Sequence, residues 1–294
     1  MIWIPKELWS GQRLSAFPSG IAGDAAFRIF CTPELSHYRS SNHNRLVERA
    51  RFHLRNARWQ RIATPVASIQ TYRFDPDQNV PRGTILVVHG WTGEASFMTA
   101  IAEPIRRAGF RVVLLDLPAH GLSDASSTNL IECARATAAV ATHFGPIEAI
   151  VAHSFGGMIS LVATEGRAPM HGMLDIRRFV FVASPNRLLQ VTDDFARHWG
   201  LTMAGQKAFE HRLERVGGRA LECFAIAKLL PAVGAEALVI HDHDDQDVSF
   251  ESATEIVHDA AGAELLPFQG FGHRNVLFAP PVVRAIVSYL SRPA

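Results

Sequence analysis

The chain has 294 residues, 48% hydrophobic and 19% charged, with a formal net charge of +1. That composition suits a soluble globular protein with a sizeable core, with no global excess of positive charge to attract nucleic acid and no acidic tail. Three widely spaced cysteines, Cys31, Cys133 and Cys223, exclude a disulfide framework and point to a reducing compartment.

The opening segment MIWIPKELWSGQRL lacks the apolar run of a secretory signal. No window offers the roughly 18 apolar residues that a membrane span needs, so a cytoplasmic location is expected. Within residues 1–61 the pattern predicts a helix from Asn42 to Trp59, with Leu46, Ala50, Leu54 and Ala57 on one face. Arg45, Arg49, Arg51, Arg55, Arg58 and Arg61 make it basic. A solvated helix packed on the body is the plain expectation; peripheral contact with an anionic membrane or a partner is the alternative.

From about residue 62 onward, apolar strand runs alternate with helical patterns. Strands are expected at 84–90, 111–117, 147–154, 177–184, 236–242 and 263–268, and helices at 94–108 (kinked at Pro104), 126–143, 155–166, 250–261 and 280–290. Strands apolar throughout, each followed by a helix, imply a parallel sheet covered on both faces, an open α/β fold whose ligand sits beyond the carboxyl ends of the strands. Residues 193–230 are helical without a strand, so an insertion at about 185–233 is expected to lie over the site as a small cap.

The strongest local signal is A-H-S-F-G-G at 152–157, a strand running through a sharp turn into a helix. A serine there is exposed by a strained backbone and stands at a helix N-terminus, where N–H groups favour negative charge: a nucleophile elbow around Ser154. Ala152 replaces the first glycine of G-x-S-x-G and is still small. With H-G-W-T-G (89–93), D-L-P-A-H-G-L-S (116–123), V-I-H-D-H-D-D-Q-D-V (239–248) and G-F-G-H (270–273) in the same order, the chain from about residue 62 to 294 resembles the α/β-hydrolase superfamily. The resemblance implies an α/β-hydrolase fold, with a mostly parallel central sheet and helices on both faces, and leaves the first sixty residues as an extension.

A serine needs a base with a pKa near neutrality, and a base needs a carboxylate to fix its tautomer. Among 14 histidines, His273 follows a glycine loop after the last strand, where the resemblance implies the catalytic histidine. His89, His120 and His153 are expected to be structural. The run 241–248 holds four aspartates. The resemblance, in which the acid is followed by two residues and a valine, selects Asp245, with Asp244 the competitor and Asp247 and Asp242 behind. His241, His243 and Asp245 could share one side of a strand as metal ligands, but the run stands where the acid belongs, and no metal is expected.

Oxyanion donors are expected from the backbone N–H groups of Trp91 and Phe155. Trp91, Phe97, Met98, Phe155 and Met158 are expected to form an apolar pocket, with Phe195, Trp199, Met203 and Phe209 as further candidates from the cap. No G-x-G-x-x-G or P-loop is present, so no cofactor is expected. These readings predict a serine hydrolase acting on a small-molecule acyl ester. The rivals are acyl transfer, thioester, amide or carbon–carbon hydrolysis with the same triad, and a non-catalytic binding protein on the same scaffold.

Overall fold

Five consecutive buried residues, as in Thr84–Val88, need partners on both faces, and the sheet supplies them. The computed structural model describes residues 14–36 and 43–293. It holds one eight-stranded sheet: β1 (Arg58–Ala63), β2 (Ser68–Phe74), β3 (Thr84–Val88), β4 (Arg111–Leu115), β5 (Ala149–His153), β6 (Arg178–Val182), β7 (Glu236–Asp242) and β8 (Ala263–Phe268). The spatial order is β1-β2-β4-β3-β5-β6-β7-β8. β3 to β8 run parallel, and β2 joins β4, and β1 joins β2, antiparallel.

The alternation of side chains along each strand divides the core in two. Leu86, Val88, Ile150, Ala152, Phe179 and Phe181 face one layer, with α4 (Leu130–Phe144), α5 (Gly156–Glu165), α8 (Ile226–Val233) and α9 (Glu251–Asp259). Ile85, Val87, Ala149, Val151, Val180 and Val182 face the other, against α3 (Thr99–Arg107) and α11 (Pro280–Leu290). The fold class expected from the sequence is the one observed. Between β6 and β7 the chain leaves the sheet for α6 (Leu188–His198), α7 (Met203–Gly217) and α8.

Element limits shift where capping chemistry overrides composition. α4 begins at Leu130 rather than Ser126, because the Asn129 carboxamide oxygen accepts the N–H groups of Ile131 (3.1 Å) and Glu132 (3.0 Å).

The N-terminal part departs further from expectation. α2 covers His43–Arg51 only; a 3₁₀ turn follows at Phe52–Asn56, and Arg58–Ala63 is the edge strand β1. The helical reading to Trp59 fails because Arg58 to Arg61 pair with Gln70 to Arg73 in a ladder that leaves them exposed. The side chains of Arg45 and Leu46 lie outside the described residues. Three arginines of this stretch meet acids of the body: Arg51 with Glu94, Arg58 with Asp75 and Arg61 with Asp124. A helix absent from the expectations, α1 (Ser19–Phe30), packs on α7. Gly23 permits the approach: a Cβ there would lie 2.7 Å from the Ala208 Cβ.

Candidate active site

β5 ends at His153, and the chain turns at Ser154 with φ +52° before α5 starts at Gly156. A positive φ is costly for a residue with a side chain and persists only where the surroundings impose it. Here the Ser154 N–H is held by the Val182 carbonyl (2.8 Å), and the Ser154 carbonyl accepts the Gly157 N–H (3.0 Å). The turn fits because its neighbours are small. A Cβ on Gly156 would meet the His89 carbonyl oxygen at 2.7 Å, and one on Gly90 would meet the Ser154 Cβ at 2.7 Å. Ala152 is fully buried within β5.

His273 lies in the first turn of α10 (Gly272–Asn275), after β8. Its Nε2 is 3.1 Å from the Ser154 Oγ, and its Nδ1 is 2.8 Å from the Asp245 Oδ2. Residues 154, 245 and 273 thus form one hydrogen-bonded series at the carboxyl edge of the sheet. The other Asp245 oxygen accepts the N–H groups of Asp247 (2.9 Å) and Val248 (2.8 Å). Burial pushes this carboxyl up, but hydrogen bonds from His241, His273 and the Val248 N–H outweigh burial and hold it well below the usual carboxylate range. It is ionised at neutral pH and accepts the His273 Nδ1–H, which leaves the Nε2 edge of the ring toward the Ser154 Oγ.

The other aspartates of the run have separate tasks. Asp242 accepts the Phe271 N–H (2.9 Å) and Asp244 the Gly270 N–H (3.1 Å), so both brace the loop that carries His273. Asp247 contributes to the cavity wall. His241 and His243 do not converge with Asp245 on an open space. The buried His241 ring donates to the Val248 carbonyl (2.9 Å), and His243 stacks on Phe250. Among the described residues no group of three or more His, Cys, Asp or Glu could hold a metal ion.

Three further histidines serve as buried braces. His89 donates from Nδ1 to the Gly90 carbonyl (2.8 Å) and accepts the Leu117 N–H at Nε2 (3.0 Å). His120 bonds the Pro118 carbonyl (2.8 Å) and accepts the Thr92 N–H (3.3 Å). His153 donates to the His273 carbonyl (2.9 Å). Burial lowers the pKa of His89 to about 4 and that of His153 to about 3, so both are neutral spacers.

Gly90 to Gly93 form a tight turn closed by the Gly93 N–H on the Gly90 carbonyl (3.0 Å), with Thr92 at φ +61°. This puts Trp91 at the tip, its ring edge-on to Phe155 at 5.9 Å. Phe155 is the N-cap residue of α5, where backbone N–H groups lack helical acceptors. The loop beyond Trp91 is pinned by two acids. Asp116 accepts the N–H groups of Ala95 and Leu122 and the Tyr72 hydroxyl, and burial raises its pKa to about 6. Glu94 is gripped by Arg51 of α2 through two hydrogen bonds of 3.0 and 2.9 Å.

A cavity of about 430 Å³ opens beside Ser154 and His273. Of the pocket residues expected from sequence, Trp91, Phe97, Met98, Phe155 and Phe195 line it. Met158, Trp199, Met203 and Phe209 do not; Met203 is exposed, and Phe209 is fully buried against Phe195. Met158 lies one helical turn beyond the serine and points into the core with no exposure, and Trp199 backs Phe195 at 6.2 Å. Wall residues not expected from sequence include Ile29 and Phe30 of α1, Arg49 and Ala50 of α2, His53, Leu277 and Phe278. The 3.6-residue spacing of Ala22, Ala25, Ala26 and Ile29 was a signal for α1.

The alpha/beta hydrolase family model matches residues 85–287. The chain belongs to this family. Solved structures similar to this α/β hydrolase include a membrane phospholipase A described as a bacterial virulence factor, at 16% identity and TM-score 0.61 over 84% of this chain and 91% of that one. Est1E from Butyrivibrio proteoclasticus with bound ferulic acid aligns at 16% identity and TM-score 0.61, over 79% of this chain and 96% of its own. The thioesterase domain from the curacin biosynthetic pathway aligns at 14% identity and TM-score 0.57, over 80% and 99%. At these identities the likeness is one of fold. No curated protein sequence matches the chain.

Proposed function

We propose that this α/β hydrolase is a serine hydrolase of carboxylic esters that works through an acyl-enzyme on Ser154. The observation that carries the reading is the series Ser154 Oγ–His273 Nε2–Asp245 at 3.1 and 2.8 Å, set against an apolar cavity. Ser154 attacks the acyl carbonyl as His273 takes its proton, and the ionised Asp245 stabilises the imidazolium. The backbone N–H groups of Trp91 and Phe155 receive the oxyanion. His273 then protonates the departing alcohol. Water, deprotonated by His273, attacks the acyl-enzyme and releases the acid.

The cavity volume matches a small-molecule site, and the walls favour an apolar acyl group. The pairing of Arg51, Arg58 and Arg61 with body acids supports a packing role for the basic stretch over a membrane role. Among the described residues no helix is long and apolar enough to cross a membrane. The free thiols Cys31, Cys133 and Cys223 support a cytoplasmic location.

The test is a panel of p-nitrophenyl esters against the wild type and Ser154→Ala. The variant should lose about 10⁴-fold or more in kcat. Equal turnover by both proteins defeats the proposal.

A further inference from the structure

Part of the cavity wall comes from outside the matched family region. α1 ends at Phe30, and the Phe30 ring lines the cavity. It stacks on Trp91 at 6.2 Å and meets Phe195 and Phe209 edge-on at 5.2 and 5.3 Å. One aromatic ring therefore touches both the turn expected to bind the oxyanion and two residues of the cap helices.

α1 holds that ring firmly. Its backbone lies against α7 through Gly23, and Asp24 pairs with Arg212. The Leu14 and Ser15 N–H groups donate to the Trp199 and Gly200 carbonyls, both at 3.1 Å. At the other end the Cys31 carbonyl accepts the Thr128 N–H at 2.7 Å. Phe30 is fixed from both sides, as a chain-length stop requires.

The chemistry says which half of an ester would meet it. His273 must protonate the departing oxygen, so the alcohol half lies toward His273 and its neighbours Asn275, Leu277 and Phe278. The acyl chain leaves the carbonyl carbon on the opposite side, beside Trp91 and Phe155. From those two residues the ring contacts lead to Phe30 and on to Phe195, both of which lie on the cavity wall.

We propose that Phe30 is the specificity-determining residue for acyl chain length, its ring closing the acyl arm of the cavity. The inference rests on the ester-hydrolase reading above. Removing the ring lengthens the arm toward Phe209, and a larger ring shortens it. The residue acts on substrate fit and takes no part in the proton transfers.

The experiment compares wild type with Phe30→Ala, Phe30→Leu and Phe30→Trp on two series: p-nitrophenyl esters from butanoate to dodecanoate, and butanoate esters of alcohols of rising length. The kcat/KM ratio of dodecanoate to butanoate should rise at least about tenfold in Phe30→Leu and Phe30→Ala and fall in Phe30→Trp, with the alcohol series unmoved. Loss of packing alone would lower all esters together. Should Phe30→Ala fail to fold, the Leu and Trp variants decide. A chain-length ratio within about twofold of wild type in every folded variant overturns the inference, as does a shift confined to the alcohol series. Calorimetry of butanoate and dodecanoate binding in the Ser154→Ala background reads the same arm without turnover. A wild type that cleaves no ester, while dodecanoate affinity still rises in Phe30→Leu, sinks the hydrolase reading and keeps the wall. Active wild type with neither profile nor affinity changed sinks the wall alone.

Discussion

Asp245→Asn keeps the size of the side chain and changes one atom. The carboxamide oxygen can still accept the Asp247 and Val248 N–H groups, which fixes its orientation. The amide NH₂ then faces His273 Nδ1 across the 2.8 Å now spanned by an N–H···O bond. Two donors cannot meet there, so His273 is driven to the tautomer with Nδ1 bare and Nε2 protonated. That proton points at the Ser154 Oγ, 3.1 Å away, and the base is lost. A triad in the wrong tautomer loses about 10⁴-fold in kcat, or about 5 kcal/mol of transition-state stabilisation. The fold loses less. The bond to His273 is reversed and, like the two from Asp247 and Val248, becomes neutral, about 3 kcal/mol in all. The assay is kcat on a p-nitrophenyl ester at pH 7.5, with circular dichroism to confirm folding. A folded variant within tenfold of wild type would refute the role given to Asp245.

Gly90→Ala would press a Cβ against Ser154 at 2.7 Å; kcat should fall about 10²-fold in a folded protein, and an unchanged kcat would contradict the packing argument. Arg51→Ala strands the buried Glu94 carboxylate and should cost about 2 kcal/mol by denaturant titration, part of it restored by Glu94→Gln in the same chain. His153 is kept neutral when folded, with a pKa of about 3 against an ordinary 6.5. The unfolded chain therefore binds more protons below pH 6.5, and stability is lost as pH falls, by about 2 kcal/mol at pH 5. Asp116, raised to about 6 by burial, works in the opposite sense between pH 6 and 4, so the readout is a difference. The loss of stability from pH 7.5 to 5 should be smaller in His153→Asn than in wild type, and equal slopes would contradict the assignment.

The parallel strands could be read from sequence because burial on both faces writes an unbroken apolar run, as in Ile85–Val88 of β3 and Phe179–Val182 of β6. β1 could not, because an exposed edge strand carries arginines that read equally well as a polar helix face. β2 was masked by buried polar residues, Gln70 and Thr71, whose side chains bond backbone of their own sheet edge. The three residues of the hydrogen-bonded series, Ser154, Asp245 and His273, were candidates from sequence, since each follows the end of a strand within a few residues. Direction was harder. Met158 and Trp199 are near the site in sequence, yet a helical turn aims one into the core and sets the other behind Phe195. Phe30 and His53 are far away in sequence, and only tertiary packing brings them to the cavity.

Labelling with a fluorophosphonate, located by mass spectrometry of the digested protein, tests most directly whether Ser154 is an activated nucleophile. A single adduct on the peptide containing Ser154, absent in Ser154→Ala and strongly slowed in His273→Ala, is the predicted result. A folded wild-type protein that takes no label, or takes it at another residue, would contradict the account.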